Sequence, residues 1–297
     1  MKKVTVVIPA YNEEAGIENT LKELCEATPD NYSIIVVDDG STDNTYKIAS
    51  NIDVARIKVL HHTVNKGYGA AIKTACRHAK GEIIVWYDAD GQHRPIDLMA
   101  VVDKLIEGNY DYVIGVRTKN SFVDKNRRMG KKVLSWFANK VAKEPMEDVN
   151  SGLRAFKREI LLYHLGLLPE RFGASTVTSF IMQEMGYFGG VCQITVQQRK
   201  GESTVKPVKD GVATLKLIMN IILLFRARQV FSWISVFFFM IGVVYGGIRV
   251  VTDGLGVPVL SAILLIAAIQ LYFMGIISAQ ITSLRLGNFN INSAIEQ

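Results

Sequence analysis

Two aspartates one residue apart, Asp88 and Asp90, carry the sharpest chemical signal in this 297-residue chain. They follow an apolar run at 83–87, and carboxylates so placed just past a buried strand project to one side and share a hard cation. Ala89 keeps the turn between them small, and Gln92 offers a further oxygen. The chain has no Cys/His cluster of metal-ligand spacing, which argues against zinc. An oxygen set of this kind suits Mg²⁺ or Mn²⁺ shared with the phosphates of a ligand. His93 reads equally well as a capping or packing residue and is not counted among the ligands.

Polar residues stand after the other apolar runs as well: Tyr11 to Glu14, Asp38 to Ser41, His61 to Gly67, and Arg117. The runs themselves, at 4–8, 34–37, 57–60, 83–87 and 112–115, are short and β-branched. Between most of them lie stretches of helical periodicity at 16–27, 42–50, 69–78 and 96–107. This alternation predicts an α/β fold with a mainly parallel sheet covered on both faces. Ligands of such sheets bind beyond the carboxyl ends of the strands, where these polar residues lie. Ser41 and Thr42 read equally as an N-cap opening the next helix. Gly67-Tyr-Gly69 lacks the third glycine of a dinucleotide fingerprint, and no P-loop pattern occurs, so neither a dehydrogenase nor a P-loop NTPase is supported. The loop around Lys66 reads either as the tight opening of a helix at 70–78 or as a place where Lys66 meets a ligand.

The ordered motifs VIPAYNEE (7–14), VVDDGSTD (36–43), NKGYGA (65–70) and DADGQ (88–92) resemble those of family 2 glycosyltransferases with the GT-A fold. Within that family, DVNSGLRA (148–155) and RKGES (199–203) resemble the polyprenyl-phosphate glycosyltransferases, the group containing dolichol-phosphate mannose synthase. The resemblance covers residues 4–210. It implies that Pro9, Tyr11 and Glu13, with Val37 and Asp39, surround the base and ribose of a nucleotide-sugar. It implies further that Asp88, Ala89, Asp90 and Gln92 meet the ribose and the metal on its diphosphate, that Arg199 holds the diphosphate, and that Arg117, Lys131 and Ser135 hold an acceptor phosphate. The group can show arginine where Lys131 stands; lysine keeps the charge and loses the bidentate fork.

Composition locates the second half of the protein. Hydrophobic residues make up 49% and charged residues 21% of the chain, and mean hydropathy is +0.18. Nearly all the charge precedes Arg228, and from 230 to 281 the only formal charges are Arg249 and Asp253. Residues 211–228 carry the pattern of an amphipathic helix at a membrane interface. The apolar stretches 230–248 and 258–281 extend roughly 28 and 36 Å as helices and match a hydrocarbon core of about 30 Å. Residues 249–257 read as a short link between them. Gln270, Ser278 and Gln280 are expected to face a neighbouring helix or subunit. Lys206, Lys209, Lys216, Arg226 and Arg228 before the first span and Arg285 after the second place both termini and the catalytic part in the cytoplasm, by the positive-inside rule. The three cysteines, far apart, read as reduced packing residues.

Three domains follow: a catalytic GT-A domain at 1–210, a juxtamembrane helix at 211–228, and a two-span hairpin within 229–297. The expected activity is inverting, metal-dependent transfer of a sugar from a UDP- or GDP-sugar to a polyprenyl phosphate, dolichyl or undecaprenyl, at the cytoplasmic membrane face. Self-association through the hairpin is compatible with this reading. The net charge of +6 suits an anionic membrane surface and calls for no nucleic acid. Two alternatives are a family 2 enzyme acting on another lipid or on a polysaccharide, and a catalytically silent nucleotide-binding membrane adaptor.

Overall fold

The computed structural model describes residues 2–118, 121, 148–171, 173–197, 216, 219–220, 222–254 and 256–287. The chain divides into two compact units, Met1–Leu217 and Ile218–Gln297.

The first unit opens with the expected alternation: β1 (Val4–Ala10), α1 (Ile17–Ala27), β2 (Tyr32–Asp38), α2 (Thr45–Ser50), β3 (Ile57–His61), α3 (Tyr68–His78), β4 (Ile83–Trp86), α4 (Pro95–Glu107) and β5 (Tyr112–Arg117). There follow β6 (Arg154–Lys157), α5 (Arg158–His164), α6 (Ala174–Glu184) and β7 (Gly189–Ile194). The sheet order is β3-β2-β1-β4-β6-β5-β7, and every pairing is parallel except the two made by β6, which runs antiparallel to β4 and β5. β1 and β4 are buried along their whole length, as expected for central strands covered on both faces. Sequence reading placed no strand at β6 or β7. β6 is only four residues long, and β7, Gly-Gly-Val-Cys-Gln-Ile, lies at the sheet edge with half its residues exposed. Neither offers an apolar run to read.

The capping reading of Ser41 and Thr42 is corrected. α2 begins at Thr45, whose N–H and hydroxyl both donate to Asp43 Oδ1. Ser41 Oγ instead accepts the Asn12 N–H at 2.9 Å. The loops after β1 and β2 are thus tied together.

His164, at the end of α5, is 2% exposed. Its Nε2 lies 3.0 Å from the Tyr187 hydroxyl, and its Nδ1 has no hydrogen-bond partner. Burial pulls its pKa from 6.5 down to about 4. The unfolded chain therefore takes up a proton that the folded chain refuses, so this contribution is intact above pH 6.5 and is lost as pH falls toward 4. His164→Gln is expected to flatten the loss of stability over that window by up to about 3 kcal/mol, read by denaturant unfolding at pH 7 and pH 4.5. Parallel declines in the two proteins would refute this assignment.

The second unit contains two long helices, α7 (Ala227–Asp253) and α8 (Val259–Gly287). α7 runs through Arg249 to Asp253, further than the expected link allowed. An Arg249–Asp253 ion pair of 2.9 Å one turn apart supports the last turn, and Gly254, at φ +65°, closes it in the left-handed conformation. The helices meet through small residues: Ser235 Oγ donates to the Ala268 carbonyl at 2.7 Å, and Ser261 Oγ to that of Gly242 at 2.6 Å. Over spans of mean hydropathy 2.1 and 2.3, only 17% of each is buried. A soluble protein would bury such helices; these present their apolar surface outward, as membrane helices do. Of the amphipathic helix expected at 211–228, residues 216, 219–220 and 222–225 are helical, Arg226 is a bend, and 227–228 already belong to α7; the rest lies outside the described residues.

Candidate active site

The strand order reverses direction at β1, which has β2 on one side and β4 on the other. At this switch point the carboxyl ends of the three strands open a cleft of about 330 Å³. Pro9, Ala10, Tyr11 and Glu13 line it from the end of β1, Asp39 from β2, and Asp88, Ala89 and Asp90 from β4. Asn65, Gly67, Tyr68 and Ala71 close it from the start of α3. Seven of the residues expected around a nucleotide-sugar and its metal thus share one cleft. Val37 does not line it: the side chain is wholly buried within β2, opposite Pro9, and supports the cleft from behind.

Asp39 is 2% exposed, and both its oxygens are engaged. Oδ1 accepts the Lys66 N–H at 3.0 Å and lies 2.7 Å from His62 Nδ1, while Oδ2 accepts the Gly67 N–H at 2.7 Å. Gly67 sits at φ +109°, which favours glycine, and so aims its N–H at the carboxylate. The next free donors of α3, the N–H groups of Gly69 and Ala70, are taken by the carbonyls of Arg171 and Glu170. The start of α3 is therefore a wall of the cleft rather than a phosphate cradle.

Asp88 is less enclosed than Asp39 and partly open to the cleft. Its Oδ1 accepts the Tyr68 hydroxyl at 3.0 Å, and its Oδ2 lies 3.6 Å from His93 Nε2. Burial pushes its pKa up, but His93, Tyr68 and Arg154 together outweigh burial and hold it below the usual carboxylate range. Burial and the adjacent Asp88 push the Tyr68 hydroxyl well up, so it remains a donor. A Cβ on Gly152 would lie 1.9 Å from Asp88 Oδ2, so only glycine lets the carboxylate occupy this position.

Arg154 stands behind this arrangement, 0% exposed at the start of β6. It donates to the carbonyls of Val149, Ser151 and Ser175 and to Ser179 Oγ, and its guanidinium lies 5.8 Å from the centre of the Trp86 ring. Burial lowers its pKa to about 10, against the pull of Tyr68, Asp148 and Asp88, and it stays a cation at neutral pH. One side chain thereby fastens the loop at 149–151 to α6 directly behind β4. Arg117, the last residue of β5, is gripped by Asp148 through Nε and Nη2. Burial opposes its charge, yet the Asp148 carboxylate raises its pKa. Asp148 itself stands at φ +24°, an uncommon conformation for a residue with a side chain.

Tyr68, His93, Asp148, Gly152 and Arg154 were not among the site residues expected from sequence. Three of them lie in the motif at 148–155, which marked the segment without assigning roles within it. Gln92 does not line the cleft. Its side-chain amide donates to the Gln197 carbonyl, and its own carbonyl accepts the Gln197 N–H. These two bonds bring the segment that leads to Arg199 up to the end of β4. Arg199, Lys131 and Ser135 lie outside the described residues.

Among the described residues no group of three or more His, Cys, Asp or Glu gathers to hold a metal alone. Asp88 and Asp90 nevertheless fit a hard divalent ion, because Mg²⁺ and its like are held by one or two carboxylates, with ligand phosphates and water completing the shell. The ionised state of Asp88 meets the same requirement.

Comparison with known proteins agrees with this architecture. Residues 5–164 match the family described as Glycosyl transferase family 2, and residues 228–284 match the GtrB C-terminal hairpin. The chain is 37% identical over 181 residues to a UDP-N-acetylglucosamine–dolichyl-phosphate N-acetylglucosaminyltransferase of Methanococcus voltae, covering 54% of this chain and 71% of that protein. It is 34% identical over 168 residues to an undecaprenyl-phosphate 4-deoxy-4-formamido-L-arabinose transferase of Proteus mirabilis, covering 54% of this chain and 51% of that one. Among solved structures, glucosyl-3-phosphoglycerate synthase of Mycobacterium tuberculosis, in complex with Mn²⁺, UDP and phosphoglyceric acid, superposes with a TM-score of 0.58 at 21% identity, over 75% of this chain and 78% of that one. At that identity the likeness is one of fold.

Proposed function

Because the chain belongs to glycosyl transferase family 2, we propose that it transfers a sugar, with inversion, from a nucleoside diphosphate sugar to a polyprenyl phosphate at the cytoplasmic membrane face. The observation that carries this reading is the joint match of one chain to the family 2 domain and to the GtrB hairpin. The relatives named for dolichyl-phosphate and undecaprenyl-phosphate acceptors support the choice of acceptor.

In this reading the donor's base and ribose lie against Pro9, Tyr11, Glu13 and Asp39, and Asp88 and Asp90 hold Mg²⁺ or Mn²⁺ at its diphosphate. A bound divalent ion supplies charge neutralisation for the departing nucleoside diphosphate. Tyr68 and Gly152 keep the Asp88 carboxylate aimed at that place. The acceptor phosphate is largely ionised at neutral pH, so no strong general base is needed for its attack on the anomeric carbon. Arg117 spends Nε and one N–H of Nη2 on Asp148 and keeps Nη1 for a phosphate oxygen. Lys131 and Ser135 complete the acceptor site and Arg199 the diphosphate site, as the resemblance implies. The catalytic unit and both termini face the cytoplasm, with the basic residues before α7 at the anionic leaflet.

The test uses the full chain in lipid vesicles with labelled UDP- and GDP-sugars, undecaprenyl or dolichyl phosphate, and Mn²⁺. The expected product is a lipid-extractable, phosphate-linked sugar whose formation stops when EDTA is added. Absence of such a product with every donor overturns the proposal, and a product that persists in EDTA removes the metal from it.

A further inference from the structure

The Asp39 carboxylate is the hub of the loop that joins β3 to α3. His62 at the start of that loop and the N–H groups of Lys66 and Gly67 at its end converge on it. Between them Val64 crosses Gly40 so closely that a Cβ on Gly40 would lie 2.6 Å from the Val64 backbone. Of these partners His62 was not among the site residues expected from sequence. It is 7% exposed, with Nδ1 2.7 Å from Asp39 Oδ1 and Nε2 2.9 Å from the hydroxyl of Thr74, in the middle of α3. The ring nitrogen that faces a carboxylate carries the proton, so in the neutral ring Nε2 accepts from Thr74. The ring is thereby held at both ends, and turning it over breaks both bonds.

These bonds leave Asp39 little to offer the cleft. A carboxylate has about four lone-pair sites, two on each oxygen. Oδ1 spends both, on the Lys66 N–H and on His62, while among the described residues Oδ2 receives only the Gly67 N–H. One acceptor position therefore remains on a residue that lines the cleft. Uracil presents N3–H as a single donor between two carbonyls. Guanine presents N1–H and its N2 amino group side by side, a pair that matches both oxygens of a carboxylate. With Oδ1 filled, one of the guanine donors is buried without a partner, which costs more than a satisfied hydrogen bond contributes. Tyr11 and Asn65, which also line the cleft, carry donors of the kind the uracil carbonyls need.

We propose that His62, locked by Thr74, is a positioning residue that leaves Asp39 a single acceptor for the donor's base, and that this selects a uridine over a guanosine diphosphate sugar. His62 touches no substrate and acts through Asp39. The proposal rests on the reading of Asp39 as a base-facing residue of the donor site.

The experiment measures binding of UDP and of GDP, each with Mn²⁺, to the full chain in detergent by titration calorimetry, without acceptor, so that turnover does not enter. The parent is expected to bind UDP more tightly than GDP by about 5- to 150-fold, the range for one buried unpaired donor. His62→Leu, which empties one position on Oδ1, is expected to narrow that ratio by at least about fivefold, because both guanine donors can then be met. His62→Asn, whose amide N–H stands near the place of Nδ1, should keep the ratio. Thr74→Val, close in shape and lacking the hydroxyl, should narrow it part of the way in a chain of near-parental melting temperature, and carries the test if His62→Leu does not fold. Equal affinity of the parent for UDP and GDP, or tighter GDP, overturns the inference while leaving a nucleotide site intact. A ratio unchanged in the Leu and Val variants, even with both affinities lowered together, shows a structural residue only and overturns it as well. Failure of the parent to bind either nucleotide overturns the donor site itself and the inference with it.

Discussion

Asp90→Asn is expected to lower sugar transfer by roughly 10²- to 10³-fold, the usual cost of removing one preorganised electrostatic contact from a transition state. The substitution is chosen to leave the turn intact. Asp90 Oδ1 accepts the Gln92 N–H at 3.1 Å, and the carbonyl of an asparagine can accept the same bond. What is lost is a negative charge at the edge of the cleft, beside a carboxylate that its surroundings already keep ionised. The melting temperature should therefore stay close to that of the parent, while the Mn²⁺ concentration for half-maximal activity rises. A variant that turns over within threefold of the parent at equal Mn²⁺ would remove Asp90 from the reaction.

Gly152→Ala is expected to cost transfer at least as much as truncating a metal-site support, about 10- to 100-fold. The added methyl would stand 1.9 Å from Asp88 Oδ2 and 2.7 Å from Cγ, so the carboxylate must rotate away and give up the Tyr68 hydroxyl. Overpacking of this kind destabilises by about 1–3 kcal/mol, enough to shift a melt without unfolding the domain. The diagnostic readout is again metal dependence, because a merely destabilised enzyme would bind Mn²⁺ normally once folded. Gly247→Ala serves as the control, since a Cβ there meets nothing within 4 Å. Equal Mn²⁺ requirements in the two variants would show that Gly152 has no part in aiming Asp88.

The left side of the sheet, from β3 to β4, was legible because each strand is a β-branched run ended by polar residues, and the period of the helices between them is unambiguous. For the same reason the sequence pointed to Asp39, Asp88 and Asp90 as strand-end residues. It could not show where their oxygens go. Asp39 has the pattern of a ligand-facing carboxylate, yet three donors from His62, Lys66 and Gly67 surround it, and it orders the loop that walls the cleft. The right side was poorly legible. β6 is inserted between two strands that precede it in the chain, and pairing of that kind leaves no local period. The Arg117–Asp148 grip spans 31 residues, and the burial of Arg154 depends on partners from three segments. An arginine in a polar stretch reads as solvated until the fold closes around it. In the hairpin, spacing alone gave the two spans but not the azimuth of Gln270, which is exposed on α8 while Ser235 and Ser261 supply the polar contacts between the helices.

The position of β6 bears on how the enzyme is made. As the chain leaves the ribosome, β1 to β4 and their helices can pair in order, so the cleft acquires its outline early. Yet β5 has no neighbour until residues 154–157 emerge and slot in beside β4, since β6 separates the two. Gly152 and Arg154 arrive with that strand, and only then is Asp88 backed and Arg117 gripped. The acidic site therefore gains its backing only midway through synthesis of the 297-residue chain, well before the apolar helices that begin at Ala227. A nascent chain stalled before residue 152 would display the cleft without the means to use it.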